Sequence, residues 1–158
     1  MHWLILILWI AVCLAVGGIG GRWTAPEIRG WYKTVRKPSF NPPNWIFGPV
    51  WTSLYVLMAI AVWLVSDAPV SSTRSVALAL FLIQLALNLA WSWIFFRKHA
   101  IRSAALEVAV LWCAIGATTL VFSRLSITAA WLMAPYWAWV TFASVLNATI
   151  WRLNPNAG

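Results

Sequence analysis

LSITAAWLMAPYWAWVTFASVLNATIW, residues 125–151, contains no acidic or basic side chain. As a helix rising about 1.5 Å per residue, it reaches about 40 Å, more than a hydrocarbon core of about 30 Å. Residues 1–21, 38–66 and 75–96 are equally free of charge, and 103–123 is interrupted only by Glu107. Charged residues make up 9% of the chain, against about 25% in soluble domains, so a soluble domain would lack the polar groups to cover its surface. The runs do not alternate as the strands of a membrane barrel do. No basic residue precedes the first run and no small-x-small cleavage site follows it, so it reads as a retained helix. The prediction is an all-α integral membrane protein. One domain over 1–158 holds five transmembrane helices near residues 3–21, 44–65, 75–96, 103–122 and 129–151.

Cations set the expected orientation. With five crossings, Arg22, Arg29, Lys33, Arg36, Lys37, Arg97, Lys98, Arg102 and Arg152 fall on one side, and Arg74 and Arg124 on the other. Loops rich in Lys and Arg stay in the cytoplasm. The N-terminus is therefore expected outside and the C-terminus inside, with a bacterial inner membrane favoured. The net charge of +8 then matches anionic membrane lipids, and no sizeable aqueous domain exists to carry nucleic acid.

The loop expected between Arg22 and Asn44 is unusual. It holds Trp23, Trp31, Tyr32, Phe40 and the run Lys37-Pro38-Ser39-Phe40-Asn41-Pro42-Pro43. Prolines restrict their own and the preceding residue's backbone, which limits the shapes available. The segment reads as a lid over one mouth of the bundle, through Trp31, Tyr32, Pro42 and Pro43. The alternative is that its aromatics and cations rest in the headgroup layer.

Fourteen tryptophans sort by depth. Trp3, Trp23, Trp45, Trp131 and Trp151 lie near helix ends, as interfacial anchors do. Trp51, Trp112 and Trp139 are deeper, where an indole N–H needs an internal partner. Helical spacing puts Trp51 with Tyr55, Gln84 with Asn88, and Trp139 with Ala143 and Asn147 on shared faces. Amides are costly toward lipid and should point inward. They either glue helices together or join the tryptophans in lining a ligand cavity. Glu107 is expected to pair with Arg102 or Arg97 rather than relay protons. Cys13 and Cys113 are isolated, and His2 and His99 sit near opposite faces, so no metal site or catalytic set is visible.

The segments Trp31-Tyr32, Lys37-Pro38, Asn41-Pro42-Pro43-Asn44-Trp45 and Gly48-Pro49-Val50-Trp51-Thr52-Ser53-Leu54-Tyr55, taken together, resemble the TspO/MBR family of tryptophan-rich sensory and translocator proteins. So do Gln84–Trp91, Phe95-Phe96, Pro135-Tyr136-Trp137-Ala138-Trp139 and Leu146-Asn147 before Trp151-Arg152. The resemblance covers essentially the whole chain. It implies a five-helix bundle, usually a homodimer, whose first loop covers a pocket for porphyrins of the protoporphyrin IX type or other flat lipophilic molecules, with no required cofactor. It places ligand contacts at Trp51, Asn88 and Trp139, with Tyr55 and Ala143 as weaker assignments. Asn147 joins them through the face it shares with Trp139. The segment Leu146–Arg152 lacks the tyrosine of the animal sterol-recognition element. Three functions remain open: a tetrapyrrole sensor, a transporter of such ligands, and a light-dependent porphyrin-degrading enzyme in which Trp51 and Trp139 would take part. A small helix face at Ala79, Ala86 and Ala90 is the expected dimer contact.

Overall fold

In a bilayer, backbone N–H and C=O groups have only one another as partners, so each uncharged run closes on itself as a helix. The computed structural model describes residues 2–155, and Met1 and residues 156–158 of the expected domain lie outside the described residues. The helices are α1 (His2–Arg29), α2 (Asn44–Ser66), α3 (Ser72–Ser92), α4 (Ile101–Ser123) and α5 (Ile127–Leu153). All five are long and apolar enough to cross a membrane. They form a ring in which α1 packs on α2, α2 on α5, α5 on α4, α4 on α3, and α3 more lightly on α1.

The helix starts differ between the two ends of the ring. Ser71 accepts the Arg74 amide at 3.2 Å, and Ser126 the Ala129 amide at 3.2 Å. These side-chain caps satisfy first-turn amides of α3 and α5. At the other end, α2 starts after Pro43 and α4 after Ala100, neither with a side-chain cap. There α3 runs into a π turn, Trp93–Arg97, which buries Phe95 and Phe96. His99 follows with φ +54°, a left-handed conformation uncommon outside glycine.

Two expectations need correction. The first helix does not stop at Gly21 but continues through Arg22 and Pro26 to Arg29, so the loop is 30–43 rather than 22–43. Loss of hydrophobicity marks the membrane surface, not the last hydrogen bond, and the helix ends where Gly30 donates to Pro26 and Glu27 carbonyls at 3.0 and 3.2 Å. Glu107 pairs with neither arginine, and both its oxygens are buried without a partner among the described residues. Arg102 lies five positions before it, about 140° around the helix, and its guanidinium sits over the Trp151 ring at 5.9 Å.

Candidate ligand-binding site

The bundle is tightly filled at the end of the Ser caps and hollow at the other. A cavity of about 490 Å³ lies between α1, α2, α5 and the α3–π-turn segment, within the range of small-molecule sites. Its floor is Tyr55, whose ring lies against Gly17 so closely that an added Cβ there would meet ring carbons at 2.6 Å. Below this contact α1 and α2 pack without a gap, around buried Cys13, Met58 and Val62.

One wall is built from two groups of rings. Trp51 lies 5.7 Å from Tyr55 and 6.2 Å from Tyr136. Trp139 lies 6.1 Å from Phe47 and 5.6 Å from Phe142. Trp51, Tyr55, Phe47, Trp139 and Phe142 all line the cavity, offering broad apolar faces and two indole N–H donors. The facing wall on α1 is small: Gly17, Gly18, Gly20, Gly21, Thr24 and Ala25. Among the described residues no charged side chain lines the space.

Behind the floor, the Tyr55 hydroxyl donates to Asn88 Oδ1 at 2.5 Å, and Asn88 Nδ2 donates to the Tyr136 hydroxyl at 3.0 Å. One amide thus joins α2, α3 and α5. Asn147 works similarly nearer the loop: its Oδ1 accepts from Trp91 Nε1 at 3.0 Å and its Nδ2 donates to the Ile101 carbonyl at 3.1 Å.

The expected site residues separate accordingly. Trp51, Tyr55, Trp139, Ala143 and Asn147 line the cavity, whereas Asn88 does not and sits one layer behind Tyr55. The two readings of the amides are therefore not exclusive: Asn88 and Asn147 glue helices around a hollow. Gln84 is buried with its Oε1 unpartnered. Trp112 is explained by structure alone, donating to Thr141 Oγ1 at 2.8 Å. Of the lid residues, Tyr32 lines the cavity; Trp31, Pro42 and Pro43 do not. Trp31 instead stacks on His99, ring centroids 4.1 Å apart, and His99 Nε2 meets Glu27 Oε2 at 2.9 Å.

The loop is folded on itself. The Tyr32 hydroxyl donates to Asn41 Oδ1 at 2.8 Å, and Lys37 Nζ donates to the Tyr32 and Val35 carbonyls at 2.5 and 2.8 Å. Burial pushes the Tyr32 phenol up to about 12 and the Lys37 ammonium below its usual value. Asn154, just past α5, exchanges hydrogen bonds with the Arg36 backbone at 3.0 and 2.8 Å.

The sequence reading missed the whole α1 wall, along with Phe47, Phe142 and Leu146 as lining residues. The spacing Leu14, Gly18, Gly21, Ala25 was the available signal, since it continues one helical face past the apparent end of α1.

The TspO/MBR family matches the chain over residues 9–152. The chain is 43% identical to the Tryptophan-rich protein TspO of Chlorobaculum tepidum, covering 96% of this chain and 97% of the relative. It is 36% identical to the Tryptophan-rich sensory protein of Cereibacter sphaeroides, over 99% and 95%. Against the Translocator protein of Homo sapiens the identity is 38%, over 86% and 82%.

Proposed function

Given that the chain belongs to the TspO/MBR family, and is with it an integral membrane protein, we propose that it binds a flat lipophilic ligand of the porphyrin type in the ring-walled cavity. The observation carrying this reading is the cavity itself: about 490 Å³, with Trp51 and Trp139 on one wall and glycine backbone opposite. Two aromatic faces and a flat wall suit a planar π-system, and the indole N–H groups offer donors to a carboxylate or carbonyl at its rim. Binding, with sensing as its outcome, accounts for the chain without a metal or cofactor. The loop 30–43 acts as the lid through Tyr32, while Trp31, Pro42 and Pro43 hold the loop's shape. The N-terminus lies outside, the C-terminus in the cytoplasm, and α3 forms a homodimer through Ala79 and Ala86. Light scattering of the detergent-solubilised protein tests that dimer.

A second reading has one observation in its favour. Trp51 and Trp139 are oxidisable rings in the wall of the same cavity, so a bound porphyrin excited by light has electron donors against it, with dissolved dioxygen as the oxidant that consumes it. Transport has no comparable support in the helix arrangement.

Trp51→Phe and Trp139→Phe test the site. Each keeps most of the packing and loses the N–H and part of the ring, so porphyrin affinity should fall by about 1–2 kcal/mol, about five- to thirtyfold. Tryptophan quenching by protoporphyrin IX measures it, and circular dichroism confirms folding. Trp3→Phe is the control, because Trp3 stacks on Trp63 at 5.7 Å at the opposite end. Equal affinity in all three folded variants would make the deep tryptophans packing residues only. Light-driven loss of porphyrin at saturation, compared between wild type and the two variants, separates degradation from binding.

A further inference from the structure

The exposed residues of the cavity lining fall on one side of the bundle. On the α5 wall Ala143 is half-buried and Leu146, Asn147 and Ile150 are buried; on the π turn Phe95 and Phe96 are buried. Tyr32 in the loop is buried too, 4% exposed. The exposed lining residues all lie on two helices: Leu14, Gly18, Gly21 and Ala25 on α1, and Asn44, Gly48 and Thr52 on α2. Each set follows helical spacing, so each is a single edge of its helix. The two edges flank a slot that reaches down to the level of the Gly17–Tyr55 contact, with Leu14 and Thr52 at its deep end. Thr52 lies eight residues into α2, about 12 Å from its start, and Leu14 seven residues before Gly21, about 10 Å inside the end of the apolar run. An opening that deep along two spanning helices leads sideways into the acyl layer.

The chemistry of the slot agrees with its position. Thr24 donates to the Gly20 carbonyl at 2.9 Å, and Thr52 to the Gly48 carbonyl at 2.9 Å. Both hydroxyls are folded onto their own helices, leaving no unmade hydrogen bond for lipid to strand. Glycine widens the slot where it is needed. A Cβ at Gly18, Gly21 or Gly48 would meet nothing within 4 Å, whereas at Gly17 and Gly20 it would meet Tyr55 and Ser92. Glycines on α1 thus serve two faces: Gly17 and Gly20 pack closely on neighbours, while Gly18 and Gly21 leave the slot clear.

We infer that the gap between α1 and α2 is a lateral portal, through which a lipophilic ligand dissolved in the bilayer reaches the cavity without crossing the aqueous loop. This rests on the proposed binding of a porphyrin-type ligand and names the phase that supplies it. The loop then retains the ligand while the helix gap admits it.

The test is stopped-flow quenching of tryptophan fluorescence by protoporphyrin IX, with the full chain in phosphatidylcholine–phosphatidylglycerol vesicles. Gly48→Leu, on the exposed α2 edge, places a side chain in the open slot. Association and dissociation should slow together by about tenfold, the response to a raised barrier, with their ratio moving far less. Gly48→Ala, which favours the helix, secures the result if the leucine variant misfolds, with a smaller slowing in the same direction. Folded variants with wild-type rates overturn the portal. So does lost affinity at an unchanged association rate, which would put the new side chains inside the site instead of its doorway. Wild-type protein that shows no quenching at all overturns the binding reading itself, and the portal with it.

Discussion

The two ends of the bundle are built on different principles. At the end of the Ser caps the interior is filled by its own side chains: Phe81 stacks on Phe122 at 6.1 Å, Trp9 donates to Ser66 Oγ at 2.9 Å, and Ser71 and Ser126 cap the helices that begin there. At the loop end the helices start uncapped, α3 loosens into a π turn, and His99 holds a left-handed backbone. That end is tied around the hollow by a few hydrogen bonds between elements: Glu27 to His99, Arg36 to Asn154, Trp91 to Asn147. A region held by a few specific bonds around a hollow gains most from a ligand that fills it. A region filled by its own side chains gains nothing. If the proposed ligand binds, this asymmetry places its stabilising effect at the loop end.

The boundary between the two regions is the Tyr55–Asn88–Tyr136 set, and breaking it gives the largest expected effect. Asn88→Leu removes both hydrogen bonds and leaves two buried tyrosine hydroxyls without partners. Each such loss costs about 1–3 kcal/mol, so the total should exceed any single change at the loop. Thermal unfolding in detergent, followed by circular dichroism, measures it. A variant as stable as wild type would mean that water or lipid satisfies the tyrosines and that the boundary is soft.

Gly17 sharpens the same comparison from the α1 side. In Gly17→Ala the new methyl lies 2.6 Å from the Tyr55 ring, and that ring cannot swing freely because its hydroxyl is held by Asn88. Overpacking of this kind costs about 1–3 kcal/mol. Gly18→Ala, one residue on, meets open space and should be neutral or gain about 1 kcal/mol from helix propensity. The difference in melting temperature between the two variants is the measurement. Equal melting temperatures would show that α1 and α2 are not in tight contact at the floor.

The comparison also explains what was legible in the sequence. The packed end follows from the uncharged runs, because hydrophobicity and helix length are local properties. Trp51, Tyr55, Trp139, Ala143 and Asn147 were readable as cavity residues because each lies on a face shared with another at helical spacing. Asn88 shares such a face with Gln84, yet lies behind the cavity, since spacing gives direction around a helix and not depth behind a neighbour's ring. Glu27 and His99 are separated by 72 residues, and no periodicity links them. The extension of α1 was hidden because Arg22 and Glu27 end the apolar pattern while the hydrogen bonds continue. Gly30 was the one local sign of where they stop.

The smallest expected effect is a titration within the loop itself. The Tyr32 phenol is held up to about 12 by burial, against an unfolded value near 10. Its folded value is raised, so the stability it gives the loop is complete below about pH 10 and lost as pH rises through about 12. Lys37 acts in the opposite sense. Burial lowers its folded value, so holding its proton weakens the loop, and that penalty lifts as pH climbs from the lowered value toward its usual one. The two trends nearly meet, and the loop should hold to about pH 10 and loosen above it. Tyrosinate absorbance in the wild type minus that in Tyr32→Phe isolates this one phenol from Tyr55 and Tyr136. A midpoint near 12, with Tm falling over the same range in the wild type and less in Tyr32→Phe, is expected. A midpoint near 10 would mean that Tyr32 stands in water, and the loop would then be a tether at the membrane surface rather than a folded cover on the hollow end.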